Sequence, residues 1–444
     1  MVKKQWNRRR NRTSKPLKIL LILAGLVALM IAVYFLPPVH DRLSWRLYNL
    51  RAKIFYFFNP PDADSFSPGQ QEEMEKIVQQ TQTAMASTAT PTLVPTLTPT
   101  NYVSPTPTHT ASPTPSPTPP PKTVTLEGIR HEYQEFNNCG PATLSMALSF
   151  WGWEGTQTDT AANLKPNARD RNVMPYEMVD FVRTQTNLNA IIRWGGDLEM
   201  VKMLIAGGFP VLVERGFLEE VPEKMWMGHY NVLGAYNDSN ETFLVQDSFG
   251  GPNVSYSYER IGRHWRAFNY VYIIIFPYDR EAEVMNILGP HADEAYNLQY
   301  AAEKMLEETT RVQGLELFFA WYSYGTSLVN LQDYFGAAQA FDQAYKIYDD
   351  LTSKPNLYRI TWYQTGPYYA YFYTGRYQDV INLANSTLGN SFEPAIEETW
   401  VWRGRARLAL GDTNGAIEDF RTALEWHPNW WVAEQELRNL GVVP

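Results

Sequence analysis

Cys139 is the residue with the clearest potential for chemistry, since it is the one cysteine among 444 residues and can form no intramolecular disulfide. Pro141 follows it closely, and proline suits the first turn of a helix. A thiol at that position lies near unpaired backbone N–H groups and the positive end of the helix dipole, which favour the thiolate. The sequence therefore predicts a nucleophilic cysteine there. A small buried hydrophobic residue is the alternative.

A helix from Pro141 to Trp151 is predicted behind this cysteine, because apolar residues recur at helical spacing there. Attack of a thiolate on an amide carbonyl also produces an oxyanion, which needs hydrogen-bond donors already in place. Gln134, five residues upstream of Cys139, can offer its side-chain amide beside the backbone N–H of the cysteine. Gln134 is therefore the predicted oxyanion-hole donor.

A general base is predicted at His229, which stands at the head of the apolar run Tyr230 to Tyr236. An imidazole can take the thiol proton and later protonate a leaving amine. Asp247 closes the next apolar run and could accept a hydrogen bond from the second ring nitrogen of His229. It could equally start the turn that follows. Asn237 and Asp238 compete for the orienting role, but they fall in a predicted turn, and Asp247 is preferred.

These segments together resemble the papain-like cysteine peptidases of family thirty-nine, which include the double-glycine peptidases. The resemblance rests on Gln-x4-Cys-Gly-Pro-Ala, Gly-His-Tyr-Asn-Val-Leu-Gly-Ala-Tyr and Val-Gln-Asp-Ser-Phe-Gly-Gly, within residues 124–277. It implies that Cys139 is the nucleophile, His229 the general acid and base, Asp247 the residue that orients it, and Gln134 the oxyanion donor. The chain has no Gly-x4-Gly-Lys-Ser/Thr loop, so transport-coupled leader processing is not expected.

The body of the chain is acidic, because the net charge is −9 while the first eighteen residues carry eight basic and no acidic residues, which leaves −17 for the remainder. This balance excludes a basic nucleic-acid-binding surface outside the tail. Paired-cysteine and His-x-x-x-His metal sites are also missing from the sequence. No cofactor or metal is therefore predicted, and His131 and His264 are expected to be surface or structural residues.

The globular part is predicted to contain two domains. Residues 124–278 combine one helix with apolar runs typical of strands, which indicates an α+β domain. The runs are Phe209 to Val213, Tyr230 to Tyr236, Phe243 to Gln246 and Tyr270 to Phe276. The family resemblance implies that this domain is of papain-like cysteine peptidase type. Residues 279–444 are helical and repetitive, with matching aromatic and small residues separated by 79 positions: Trp321, Gly325, Ala337, Phe341 and Ala344 against Trp400, Gly404, Ala416, Phe420 and Ala423. This pattern resembles the tetratricopeptide repeat, an all-α solenoid.

Three repeat units are predicted, at about residues 318–351, 361–394 and 397–430, followed by a capping helix. The middle unit is degenerate. A helix at residues 293–311 is expected to join the repeats to the preceding domain.

The N-terminal region is predicted to anchor the chain. Residues 1–18 form a basic tail, and the apolar segment 19–38 is predicted to be a transmembrane helix that leaves the tail cytoplasmic and the later domains extracytoplasmic. A cleaved signal peptide is the alternative, but no small-x-small motif follows the apolar run. Residues 39–86 suit a juxtamembrane helical segment that lies on the bilayer or packs against the protein.

A disordered linker is predicted at residues 87–123, since eleven of the thirty-one residues between Pro91 and Pro121 are proline and most others are threonine or serine. The sequence thus predicts an extracytoplasmic thiol peptidase whose repeats bind a protein partner or substrate. The alternatives are a non-catalytic scaffold that binds peptide or cell-wall material, and an amidase or transamidase that uses the same acyl-thioester chemistry.

Overall fold

The structure is a computed structural model that describes residues 15–35, scattered positions between 47 and 69, residues 120–217 and residues 226–444. A helix, α1, spans Lys15–Tyr34. Within the described residues, no helix has both the length and the apolar character that a membrane crossing needs. Residues 36–38 of the predicted transmembrane segment 19–38 lie outside the described residues.

Most of the predicted segments 39–86 and 87–123 lie outside the described residues. Phe55 and Phe66, two of the described positions in segment 39–86, contact the C-terminal helical region. The rings of Phe55 and Phe392 are 5.0 Å apart, and Phe66 is buried against Tyr345 and Tyr371. These contacts agree with the alternative in which the segment packs against the protein.

The α+β domain is built on an antiparallel sheet. Its strands are β1 (Thr123–Thr125), β2 (Leu188–Arg193), β3 (Val211–Phe217), β4 (Met227–Asn237), β5 (Thr242–Asp247), β6 (Gly251–Ser257) and β7 (Tyr272–Pro277). Their order across the sheet is β2-β7-β3-β4-β5-β6, and β1 pairs with β4. The helices of this domain are α2 (Cys139–Phe150), α3 (Gln157–Leu164), α4 (Pro175–Gln185), α5 (Leu198–Ala206) and α6 (Tyr258–Trp265).

Both faces of the sheet are covered by helices because the central strands are apolar on both sides. On β3, Leu212 packs with α2 and α4, while its neighbours Val211 and Val213 pack with α5 and α6. Alternate residues of a strand point to opposite faces, so a strand buried on both faces reads as a continuous apolar run. The predicted α+β class is therefore present, with more helices than the single one that the sequence indicated.

The C-terminal region is helical. Its elements are α7 (Glu281–Leu288), α8 (Glu294–Glu308), α9 (Gly314–Asn330), α10 (Tyr334–Asp349), α11 (Ile360–Tyr363), α12 (Gly366–Tyr373), α13 (Tyr377–Gly389), α14 (Glu397–Ala409), α15 (Thr413–Trp426) and α16 (Trp431–Asn439). Packed helix pairs form at α9 with α10 and at α14 with α15.

The 79-residue spacing of small and aromatic residues has a packing explanation. A Cβ atom at Gly325 would lie 2.8 Å from the ring of Phe341, and one at Gly404 would lie 2.6 Å from the ring of Phe420. Each glycine thus lets the two helices of its pair approach over a phenylalanine ring, which is the contact that the repeat pattern predicts. The assignment of these pairs to the tetratricopeptide family stays a prediction.

The two regions share a buried interface. Trp226, at the start of β4, is 1% exposed, and its ring lies 5.8 Å from that of Phe319 and 5.7 Å from that of Tyr363, both in the helical region. Polar contacts lie beside these rings, since the Asn269 side chain donates to the Ser327 hydroxyl at 2.8 Å and Gln364 donates to the Ala267 carbonyl at 2.7 Å. The helical region therefore completes the core beneath β4.

Replacing Trp226 with alanine is expected to lower the free energy of unfolding by about 3–5 kcal/mol, because a large buried ring is removed from a packed core. Urea denaturation of the full chain measures the change. Phe335→Ala is the matched control, since that ring is 54% exposed and its loss should change stability by roughly 0.5 kcal/mol or less. Equal effects of the two substitutions would contradict the buried interface.

Candidate active site

The candidate nucleophile lies at a helix N-terminus, as predicted, although the helix begins at Cys139 itself rather than at Pro141. Asn138 is the N-cap residue, and its carbonyl accepts the backbone N–H of Ala142 at 2.9 Å. The Cys139 side chain is half-buried, and its thiol is free. Its backbone N–H belongs to the first turn, where the helix itself supplies no acceptor.

The loop before Cys139 is held by side chains from α3 and the residue that follows it. Gln157 accepts the backbone N–H of Glu135 at 2.7 Å and donates to the Tyr133 carbonyl at 2.8 Å. The ammonium of Lys165 donates to Asn138 Oδ1 at 3.1 Å. The entry to α2 is therefore fixed on both sides by hydrogen bonds.

Gln134 lies beside the strand end that carries Asp247. Its backbone N–H donates to the Ser248 carbonyl at 2.9 Å, and the Ser248 hydroxyl donates to Gln134 Oε1 at 2.9 Å. Because Oε1 accepts from Ser248, the amide Nε2 is on the opposite side of the carboxamide. Ser248 thereby fixes the orientation of the Gln134 carboxamide.

His229 and Asp247 lie on neighbouring strands, where β4 and β5 pair with Val232 opposite Gln246. His229 Nε2 is 2.9 Å from Asp247 Oδ1, and both side chains are 3% exposed. The structure thus brings Asp247 to the imidazole. Asp238, which competed for this role in the sequence, is instead bound to Lys202 at 3.1 Å.

The protonation of His229 follows from these contacts. Burial alone would lower the pKa of His229, but the Asp247 carboxylate and the hydrogen bonds to Asp247 and Cys139 outweigh it and raise the pKa to about 9. With Nε2 engaged by Asp247, the remaining nitrogen, Nδ1, is the one available to the thiol. At neutral pH the site therefore holds an imidazolium between a carboxylate and a thiol, the arrangement that stabilises a thiolate.

Asp247 is the most heavily hydrogen-bonded group of the site. Its Oδ1 also accepts the backbone N–H groups of Phe249 at 2.9 Å and Gly250 at 2.8 Å. Its Oδ2 accepts the Tyr256 hydroxyl at 2.9 Å and Arg215 Nη2 at 3.1 Å. Burial acts to raise the pKa of Asp247, but His229, Arg215 and the Gly250 N–H hold it well below its usual range. Asp247 therefore starts a turn and contacts the imidazole at once, so the two sequence interpretations are compatible.

Arg215 is a residue of the site that sequence reasoning missed. Its side chain is 1% exposed, its Nε donates to Asn231 Oδ1, and its Nη1 lies 3.4 Å from His264 Nδ1. Burial, followed by the charge of Arg215, lowers the pKa of His264 to about 3, so His264 is neutral. The sequence did contain an indication of this role, because Glu214 and Arg215 are charged residues inside the otherwise apolar strand β3.

Within the described residues, no group of three or more His, Cys, Asp or Glu side chains is arranged to hold a metal ion. The site's contacts are instead those of a thiol, an imidazole, a carboxylate and a carboxamide. These are the groups that acyl transfer through a thioester requires.

Residues 126–273 match the model of the Peptidase_C39 like family. Two solved structures resemble part of the chain. The crystal structure of a C39-like peptidase from Bacillus anthracis is 15% identical, covers 35% of this chain and 98% of its own, and has a TM-score of 0.30. The MamA RS-1 ArsTM double mutant is 17% identical, covers 36% of this chain and 83% of its own, and has a TM-score of 0.29. No curated protein matches the chain.

The family match places a C39-like α+β domain before a helical C-terminal region. It is the type of domain that the sequence resemblance implies. The two solved structures are distant likenesses, so the family match carries the assignment.

The raised pKa of His229 predicts a pH dependence of stability. The folded value of about 9 exceeds the ordinary value of 6.5, so the charged imidazole stabilises the fold fully below pH 6.5 and loses this contribution as the pH rises through about 9. The stability difference between the wild-type chain and H229Q, measured by urea denaturation, should therefore shrink between these values. An NMR titration should give His229 an apparent pKa near 9, and D247N should lower it. A His229 pKa near 6.5 in the wild-type chain would contradict the contact.

Replacing Arg215 with methionine should destabilise the chain by about 3–5 kcal/mol, because it leaves the buried Asp247 carboxylate without its guanidinium partner. Tyr256→Phe is the matched control, since it removes one neutral donor from the same carboxylate and should cost about 1 kcal/mol. Arg215→Lys should recover part of the loss. Urea denaturation measures all three, and a loss for R215M no larger than that for Y256F would show that Arg215 is not the main support of Asp247.

Proposed function

We propose that the α+β domain is a cysteine peptidase that hydrolyses peptide bonds through an acyl-thioester on Cys139. The observation that carries the proposal is the 2.9 Å contact between His229 Nε2 and Asp247 Oδ1, which leaves the other ring nitrogen for Cys139. The family match over residues 126–273 supports the same chemistry. The individual catalytic roles of the four residues are part of the proposal.

In the first half of the reaction, the Cys139 thiolate attacks the scissile carbonyl carbon, and the oxyanion accepts hydrogen bonds from the Cys139 N–H and the Gln134 amide. The tetrahedral intermediate collapses as the C–N bond breaks. The His229 imidazolium gives its proton to the leaving amine, which departs as the free product. Asp247 keeps the imidazole oriented throughout and stabilises its positive charge.

In the second half, neutral His229 takes a proton from a water molecule that attacks the thioester carbonyl. The C–S bond then breaks, the acid product leaves, and the thiolate and imidazolium are restored. An amine in place of water would give transamidation by the same steps. The identity of the products, read by mass, separates a peptidase from an amidase or transamidase.

The helical region is proposed to have two roles. Its similarity to tetratricopeptide repeats supports binding of a protein partner or substrate, by analogy of fold. Its contacts with Trp226 support a structural role in the α+β domain as well. The extracytoplasmic location of both regions also remains a proposal, which rests on the basic tail that precedes the apolar segment.

The full chain is expected to release products from a mixed peptide library, and Cys139→Ala should abolish this release. His229→Ala should lower the rate by roughly 10²–10⁴, the range for loss of a general acid and base. Mass spectrometry of the products and labelling with an iodoacetamide probe provide the two measurements. Since Cys139 is the one thiol of the chain, all cysteine labelling reports on it.

Glu418→Gln is the control for both measurements, because this exposed residue of α15 lies in the helical region and has no part in the proposed chemistry. It should leave hydrolysis and labelling unchanged. Turnover at the wild-type rate by the C139A chain would refute the proposed function.

A further inference from the structure

A phenylalanine from the N-terminal part of the chain is inserted into the helical region. Phe66 is 8% exposed, and its ring centre lies 5.1 Å from that of Tyr345 on α10 and 5.8 Å from that of Tyr371 on α12. The whole α+β domain lies between Phe66 and these tyrosines in the chain. The contact is therefore made by a distant segment and is not imposed by neighbours in the sequence.

The pocket that receives this ring is formed by the helical region. A cavity of about 30 Å³ lies beside Phe66, and its other lining residues all fall between 318 and 387. The apolar ones come from α9, α10, α11 and α13 and from the residues before α11: Phe318, Tyr345, Tyr348, Leu357, Ile360 and Leu383. The pocket thus has room beyond the ring, which is uncommon in a close-packed core.

A hydrogen bond three residues after Phe66 holds the backbone of the same segment. The Gly69 N–H donates to Asp379 Oδ1 at 2.9 Å, and Asp379 Oδ2 accepts from Arg376 Nε at 2.7 Å. Arg376 Nη1 also donates to Asp342 Oδ2 at 2.7 Å. The helical region therefore orients the carboxylate itself and presents one oxygen to the N–H of the segment, which makes a charge-assisted hydrogen bond.

The position of Gly69 leaves little space for a side chain. A Cβ atom there would lie 3.1 Å from Asp379 Oδ1, closer than ordinary van der Waals contact. Gly69 is exposed and Pro68 is half-buried, so the close approach comes from the hydrogen bond rather than from burial of the backbone. The surface is thus complementary to an aromatic ring followed three residues later by glycine.

The covalent connection makes this segment a tethered ligand. Residues 70–122, 53 in number, separate Gly69 from Thr123, the first residue of β1. A ligand attached through a connection of this kind has an effective concentration on the order of a millimolar. One buried ring and one charge-assisted hydrogen bond are then sufficient to keep it bound, although the same groups would bind weakly as a separate peptide.

We infer that this pocket is a peptide-binding site of the helical region, and that its ligand is the segment with Phe66 and Gly69, bound within the same chain. The site selects a phenylalanine followed three residues later by glycine. The bound segment excludes other ligands, so a protein partner that uses this pocket must displace Phe66. This inference is independent of the proposed peptidase function.

A fluorescein-labelled peptide of residues 61–73 tests the inference by fluorescence anisotropy with the full chain. The wild-type chain should bind it weakly, because its own segment fills the pocket. Phe66→Ala frees the pocket, so the peptide should bind this variant at least tenfold more tightly. Phe335→Ala is the matched control, since it removes an exposed ring of α10, and it should bind the peptide as the wild-type chain does.

Gly69→Ala in the full chain is the second variant, because residue 69 is exposed and its substitution leaves the helical core intact. It should release the segment in part and give an affinity between those of the wild-type and F66A chains. Changes in the peptide leave the protein unaltered. A peptide with Phe66→Ala should bind the F66A chain at least tenfold more weakly than the original peptide, and one with Gly69→Ala should also bind more weakly.

Equal binding of the peptide by the wild-type and F66A chains, whether tight or weak, would overturn the inference. Equal binding of the original peptide and a scrambled peptide by the F66A chain would overturn it as well. Sedimentation equilibrium tests the assignment of the ligand to the same chain. Monomers of both chains are expected, whereas a wild-type dimer that F66A converts to monomers would show that the segment binds a second copy.

Discussion

The Asp247 carboxylate joins more parts of the candidate site than any other group described above. It accepts from His229 on β4, Arg215 on β3 and Tyr256 on β6, as well as from two backbone N–H groups of its own turn. A buried carboxylate with so many donors stays ionised, and its charge in turn keeps His229 protonated. The electrostatics of the site thus depends on the alignment of the four neighbouring strands β3, β4, β5 and β6.

That alignment depends on the helical region too. The start of β4 lies on an aromatic core that Phe319 and Tyr363 supply, and a Cβ at Gly228 would lie 2.8 Å from the ring of Tyr363. Gly228 precedes His229, so this close approach fixes the backbone next to the imidazole. Burial, followed by the charge of Cys139, raises the pKa of Tyr363, a residue of the helical region. The helical region is therefore part of the framework of the candidate site.

Many local features could be predicted from the sequence because they depend on near neighbours in the chain. Pro141 and the apolar spacing behind it placed the α2 helix within two residues of its observed start, and the apolar runs located β3, β4, β5 and β7. The strands β2 and β6 and the helices α3 and α4 were not anticipated. The sequences of β6 and α3 are mostly polar, so neither contains a continuous apolar run. Of the predicted transmembrane segment 19–38, residues 19–34 belong to a helix that begins at Lys15, and no described helix has the length and apolar character that a membrane crossing needs.

The sequence by itself determined the types of group in the candidate site and their order along the chain: Gln134, Cys139, His229 and Asp247. It also determined the two kinds of structure, because periodicity and the 79-residue spacing are properties of the chain alone. Only the tertiary structure decided that Asp247 rather than Asp238 contacts His229 and that Arg215 supports Asp247. These contacts depend on the register of paired strands and on the packing of segments that are distant in the chain. Local sequence patterns do not specify either of these, because they report only on near neighbours in the chain.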